Sequence, residues 1–379
     1  MGTNGKFLIF STIATVALVP LLVLPAMVGV LVDYAQMSDS LAGWSASVHS
    51  FAGAVIGLFF SLKIHRTNLR QVALFGLSAA FVADVISGFT AGASVPFFAA
   101  RMAAGFGLGA AYVVSLAAFA RYEGFERGFG IFVTLQFIVS GLGLYVIPVY
   151  SDVLGVQGMF FLFAGLDLLA LCLFRFLPGV HSQTNPDETT GGELKILVTF
   201  VALAGIVGFA LFEAANNAQF TYIERFAVDI GLTEHQIGIS LLIASLVGIP
   251  GAFCIVIVGQ RFGIMPPLVL GIGVAVVGLS ILINATSYTT YFVGSCFMGF
   301  SWAFCLPFIE TLLASIDRKG SVIAAGSSLA TLGGAMGPGL AALVVTGGNY
   351  KAVFILSIGL FLVTIVALFL SNRAIRISQ

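Results

Sequence analysis

The chain has 379 residues, of which 59% are hydrophobic and only 8% charged, with a net charge of zero. Soluble domains carry about 25% charged residues, so a water-facing surface cannot be built here and a membrane-embedded protein is implied. The zero net charge excludes a polyanion-binding surface, and no nucleic acid partner is expected. The first apolar run, residues 7–32, is about twice a signal-peptide core and contains Pro20 and Pro25, so it reads as a retained first span.

A helix needs about 20 apolar residues to cross a bilayer. In chain order the sequence predicts twelve spans: residues 7–32, 44–62, 70–91, 95–120, 129–151, 156–177, 195–220, 236–259, 266–285, 288–315, 321–346 and 350–371. The polar stretches KIHRTNLR (63–70), RYEGFERG (121–128) and DRKG (317–320) punctuate them. Alternate loops hold Lys6, Lys63, Arg66, Arg70, Arg121, Arg127, Arg175, Lys195, Arg261, Arg318, Lys319, Arg373 and Arg376 on one side, and only Arg225 and Lys351 on the other. Thirteen against two predicts both termini in the cytoplasm. The long polar segment LPGVHSQTNPDETTGGE (177–193) follows span six and reads as a cytoplasmic linker. The expected organisation is a six-helix bundle over residues 1–177, a linker over 178–193 and a second six-helix bundle over 194–379.

The two halves resemble each other. FFAARMAAGF (97–106) aligns with YFVGSCFMGF (291–300) at an offset of 194, and the loops after spans two and eight align through Arg66 and Arg261 at an offset of 195.

Several polar side chains fall inside spans. Arg101 sits about six residues into span four, and a charge at bilayer depth costs roughly 2.5–3.5 kcal/mol on insertion scales. Asp84 lies at a similar depth on the antiparallel span three, so the two are expected to pair. Gly105 and Gly109 form a G-x-x-x-G packing face behind Arg101. Span seven carries Glu213, Asn216 and Asn217 at helical spacing, with Gln219, Thr221 and Tyr222 beyond, which places a carboxylate and carboxamides on one face able to bind a polar solute. The alternative ends span seven near residue 212 and makes this stretch an outer loop. Glu310 follows Pro307 in span ten, and an intramembrane carboxylate is a functional candidate by default. Its bland alternative is a bond to a loop arginine such as Arg318. Asp167 in span six reads as a helix–helix hydrogen bond, and His49 as an interhelical bond. Gln136 is read the same way first but, with Trp302, is kept among the candidate solute contacts. Cys172, Cys254, Cys296 and Cys305 read as small apolar core residues without metal-ligand spacing.

Twelve spans, inside termini, a central loop and a repeated half resemble the major facilitator superfamily of transporters. In that family's loop motif, Gly-x-x-x-Asp-Arg-x-Gly-Arg-Arg, Arg66 and Arg70 are kept, while Ser61, His65, Asn68 and Leu69 stand elsewhere; Gln260 replaces the Asp in the second half, before Arg261 and Gly263. RMAAGFGLG resembles the family's span-four motif, and GGAMGPG (333–339) its Gly-x-x-x-Gly-Pro pattern; GLGLYVIP (141–148) lacks the span-five drug-antiporter form. The resemblance implies an all-α protein of two pseudo-symmetric bundles, with spans four and ten lining a pathway and spans three and six peripheral.

No phosphate loop precedes a Lys, and no metal set or hydrolytic triad is present, so neither an enzyme nor a cofactor is expected. The expected function is a secondary active transporter that moves a small organic solute by alternating access with protons as coupling ion. Glu310, Glu213 and Asp84 are the candidate proton carriers; Arg101, Glu213, Asn216, Asn217, Gln136 and Trp302 are the candidate solute contacts. A monomer in the bacterial inner membrane is expected. The alternatives are a uniporter, a sodium-coupled carrier, or a non-transporting membrane scaffold on the same fold.

Overall fold

The computed structural model describes residues 2–64, 67–119, 121–179, 199–258, 261–316 and 321–378. Among these residues the chain is helical throughout, with twelve helices long and apolar enough to cross a membrane. The predicted linker beyond residue 179, Arg66 of the loop motif, Gln260, and the DRKG turn with Arg318 and Lys319 lie outside the described residues.

The helices are α1 (Thr3–Leu22), α2 (Leu24–Ala35), α3 (Asp39–Lys63), α4 (Leu69–Thr90), α5 (Val95–Phe119), α6 (Phe125–Val149), α7 (Ser151–Leu173), α8 (Phe200–Asp229), α9 (Glu234–Val258), α10 (Met265–Ile283), α11 (Tyr288–Ile316), α12 (Ser321–Val344) and α13 (Tyr350–Ser378). The chain divides into two compact units, Met1–Asn185 and Pro186–Gln379.

Three elements depart from the sequence expectation. The first apolar run is two helices, not one, because the chain leaves helical geometry at Val23. Pro20 and Pro25 flank that residue, and neither has an N–H to give to the helical ladder. Ser140 on α6 donates to the freed Leu22 carbonyl at 3.0 Å. α8 runs to Asp229, nine residues past the predicted end at 220, which removes the reading of the span-seven stretch as a loop. Arg225, expected in an outer loop, therefore lies inside α8 and is buried. α7 carries a break at Gly155, whose φ of 53° and ψ of −166° suit a residue without a Cβ. The predicted sixth span began at the next residue, so composition located the break but not the helical turn preceding it.

In the first unit α5 packs against α3, α4 and α1, while α7 closes on α4. In the second, α8 packs against α12 and α13, and α11 against α9 and α10. Lipid tails are as apolar as leucine, so helices associate through close packing of small residues rather than by escape from water. α5 shows this directly. A Cβ added to Gly105 would collide with the His49 carbonyl on α3, and one on Gly109 with the backbone of Gly53. α12 meets α8 the same way: Gly333 faces the Ala210 carbonyl, and Gly337 faces Ala214 and Ala218. The glycines of both sequence motifs are thus helix-packing positions.

A methyl group at Gly105 must push α3 and α5 apart, so Gly105→Ala should destabilise by about 1–3 kcal/mol, the usual cost of overpacking. Gly130 has nothing within 4 Å of an added Cβ, and Gly130→Ala should leave stability unchanged or raise it. Thermal melting of the two purified variants beside the parent checks the contrast.

Candidate functional site

Arg101 is completely buried in the first unit, and so is Asp84. Their helices are consecutive and antiparallel, and the depth match read from the sequence brings the groups together: Arg101 Nη2 donates to Asp84 Oδ1 as an ion pair. Arg101 Nε donates to Ser87 Oγ at 3.0 Å, one turn along α4 from Asp84. Ser87 in turn donates to its own helix, to the Ala83 carbonyl at 2.7 Å. The guanidinium lies 4.6 Å from the ring centroid of Phe160 on α7, a cation–π contact in a desolvated place. His49 on α3 brings Nδ1 to 3.2 Å from the Arg101 carbonyl. Asp167 on α7 is within side-chain hydrogen-bond reach of Asp84. Five groups on three helices, α3, α4 and α7, therefore gather around Arg101 of α5.

Sequence reasoning kept Asp167 out of this set, because span six is peripheral in the resembled family. The signal available was its mid-span depth, the same argument that paired Asp84 with Arg101.

The second unit assembles a different site on α8 and α11. Glu213 Oε1 accepts from the Trp302 indole Nε1–H at 3.1 Å, and Oε2 accepts from Asn217 Nδ2 at 3.4 Å. Glu310, two turns beyond Trp302 on α11, is close enough for its charge to act on Glu213. Glu213, Glu310, Asn217 and Trp302 are each partly buried. Asn216 faces inward, with its amide on its own helix at the Phe212 carbonyl, 2.8 Å away. Of the predicted polar stripe, residues 213 and 217 share the site and 216 turns away into packing. Gln136 is half-buried on α6 of the first unit. α11 stays helical across Pro307, whose carbonyl accepts from Thr311 Oγ1 at 2.7 Å.

Among the described residues no group of three or more His, Cys, Asp or Glu side chains is placed to hold a metal ion.

A membrane protein of twelve apolar helices with charged and amide side chains buried at span depth has the build of a multi-pass carrier. The family model described as Major Facilitator Superfamily matches residues 7–334, and again residues 208–377. The chain belongs to the major facilitator superfamily and is a secondary transporter, integral to the membrane. No curated protein matches the chain at a significant level. Solved structures share its fold. A point mutant of the nucleoside transporter NupG superposes with a TM-score of 0.78 at 12% identity, covering 98% of this chain and 100% of that one. A bacterial homolog of the human lysosomal transporter Spinster, inward-facing and unoccupied, gives 0.73 at 12% identity, covering 98% and 97%. The human organic anion transporter TETRAN gives 0.67 at 16% identity, covering 97% and 100%.

Removing one member of a buried ion pair costs about 3–5 kcal/mol when the other is left uncompensated, and less here to the extent that Asp167, beside Asp84, answers the charge of Arg101. Asp84→Ala should therefore lower the melting temperature, while Asp84→Ala combined with Arg101→Met should recover part of the loss. The same thermal scan, run on single and double variants, reads the coupling.

Proposed function

We propose that the chain is a proton-coupled carrier of a small organic solute, working by alternating access between two six-helix halves, 1–177 and 194–379, joined by the segment 178–193. The observation that supports this most is the pair of carboxylates on α8 and α11. Glu213 is held by neutral donors only, Trp302 and Asn217, and its charged neighbour is a second carboxylate, Glu310. Two like charges beside each other at membrane depth are relieved by a proton or a cation. Glu310 is the first choice for the coupling proton and Glu213 the second, with Asp84 a further carrier in the other half. Asn217, Trp302 and Glu213 form the best-assembled set for a polar solute. Asn216 faces into packing instead, Gln136 on α6 is kept as a further candidate, and Arg101, sealed and paired, reaches a solute only if α4 and α5 part. We place both termini in the cytoplasm, following the basic loops, and the protein as a monomer in a bacterial inner membrane.

The related folds supply the first probes: nucleosides, as NupG transports them, and organic anions, as TETRAN does. A binder stabilises the folded protein by mass action, by about 2.7 kcal/mol at a hundred times its dissociation constant, so a thermal-shift screen of these classes and of organic cations finds the solute. Failure to bind or move any solute, with stable co-purification of a protein partner, favours the scaffold reading.

With a solute in hand, Glu310→Gln should keep binding and counterflow exchange but abolish accumulation driven by an imposed pH gradient in proteoliposomes. If Glu310→Gln accumulates like the parent while Glu213→Gln does not, the coupling role belongs to Glu213. Uptake by the parent that ignores a protonophore identifies a uniporter or a sodium-coupled carrier instead.

A further inference from the structure

Asp84 and Asp167 face each other across α4 and α7, at 0% and 2% exposure, with Arg101 at 0% beside them. Two carboxylates and one guanidinium leave one negative charge in excess. The charge of Arg101 acts on both carboxyls, and that of Asp84 acts on Asp167. From α3, His49 faces the site with Nδ1 against the Arg101 carbonyl. Among the described residues the packed helices bring no compensating charge to it: Lys63 on α3 lies over the Phe59 ring at 4.3 Å; α1 carries only Lys6, over the Tyr122 ring at 4.5 Å; α2 carries Asp33 and Tyr34, the latter donating to Asp152 Oδ1 on α7 at 2.5 Å. On α4 itself, Arg70 donates to the Leu177 carbonyl at 3.2 Å, and α6 carries Glu126, Arg127 and Tyr145 by sequence.

One oxygen of each carboxyl also lacks a donor. Asp84 Oδ2, Asp167 Oδ2 and Arg101 Nη1 are all buried without a partner. An ionised carboxylate only accepts, so two of them side by side repel and cannot bond each other; a protonated carboxyl donates one O–H. A metal cation would meet the fixed positive charge of Arg101, whereas a proton forms its own bond to oxygen and needs no coordination shell.

We propose that Asp84 and Asp167 hold one proton between them beside Arg101, an enclosed proton-binding site within the first bundle. Asp84 keeps Oδ1 on Arg101, so Asp167 is the carboxyl that carries the hydrogen. Loading transfers H⁺ from hydronium to a carboxylate oxygen: one O–H bond forms on the aspartic acid, one breaks on hydronium, and water leaves. With the proton in place the site is neutral overall, as a dry interior requires. The site shares Asp84 with the proposed proton carriers, but its test needs no transported solute, so failure of coupling through Glu310 and Glu213 leaves it standing and the reverse holds too.

Infrared difference spectroscopy of the purified full chain at neutral pH, in water and heavy water, tests the assignment. The parent should show the carbonyl stretch of a protonated carboxylic acid, sensitive to deuterium. Asp167→Asn should remove that band, while Glu213→Gln and Glu310→Gln together should leave it. If Asp167→Asn does not fold, isotope labelling of the parent at the aspartate carboxyl carbon gives the same reading, because the band must then shift. A parent with no aspartate-dependent protonated carboxyl band, or a band that survives in folded Asp167→Asn, overturns the proposal.

Discussion

A polar group inside a lipid-embedded bundle has no water to bond, and each one left unsatisfied costs several kcal/mol. That constraint sorts the polar side chains of this protein into two kinds. Most hydroxyls bond back to their own helix, four residues earlier: Ser115 to the Ala111 carbonyl, Thr221 to Asn217, Ser280 to Val276, Ser295 to Tyr291, Thr364 to Leu360. These residues are self-contained and say little about where helices meet. Others cross between helices, among them Ser140 to Leu22, Ser301 to Gly271, Ser371 to Val201, Trp302 to Glu213, and the set around Arg101. The first three tie one helix to a neighbour's backbone. The last two bring charge into the interior.

Charge is the costlier cargo, and the two units treat it differently. In the first, the guanidinium of Arg101 is enclosed by a carboxylate, a hydroxyl and an aromatic face. In the second, the Glu213 carboxylate has an indole and an amide but a like-charged neighbour. One arrangement encloses a cation among acceptors and an aromatic face; the other sets two carboxylates near each other.

Much of this was legible in the sequence, and the parts that were not share a cause. Hydropathy counts apolar residues, so it found twelve spans, and matching depth along antiparallel neighbours put Asp84 opposite Arg101. Hydropathy does not say where a helix stops, only where apolar character does. α8 continues through Glu224 and Arg225 because those side chains are buried against neighbouring helices rather than solvated, which a single sequence cannot reveal. The break at Val23 was foreshadowed by its two prolines but not located by them. The face of a polar residue was harder still: Asn216 and Asn217 are adjacent and chemically identical, and both donate to the carbonyl four residues earlier, yet Asn216 is in the packed interior while Asn217 also reaches the Glu213 carboxylate. A shift of one position along a helix turns a side chain by about 100°, so the difference rests on which neighbour lies there. Asp167 was assigned to a helix contact and no more, since the family resemblance puts its span at the edge.

The backbone-to-backbone seam along Gly53, Gly105 and Gly109 has a mechanical meaning. Where two helices touch through main-chain atoms, no side chain stands between them to flex, and neither can roll without lifting the other. α3 and α5 thus behave as a single plank. Movement within this half has to be taken up elsewhere, and the joint between α1 and α2 is built for it: two prolines have already cut the ladder there, and a single serine hydroxyl from α6 holds the loose carbonyl. Bending that joint trades one hydrogen bond, while bending the plank would break a continuous run of helix.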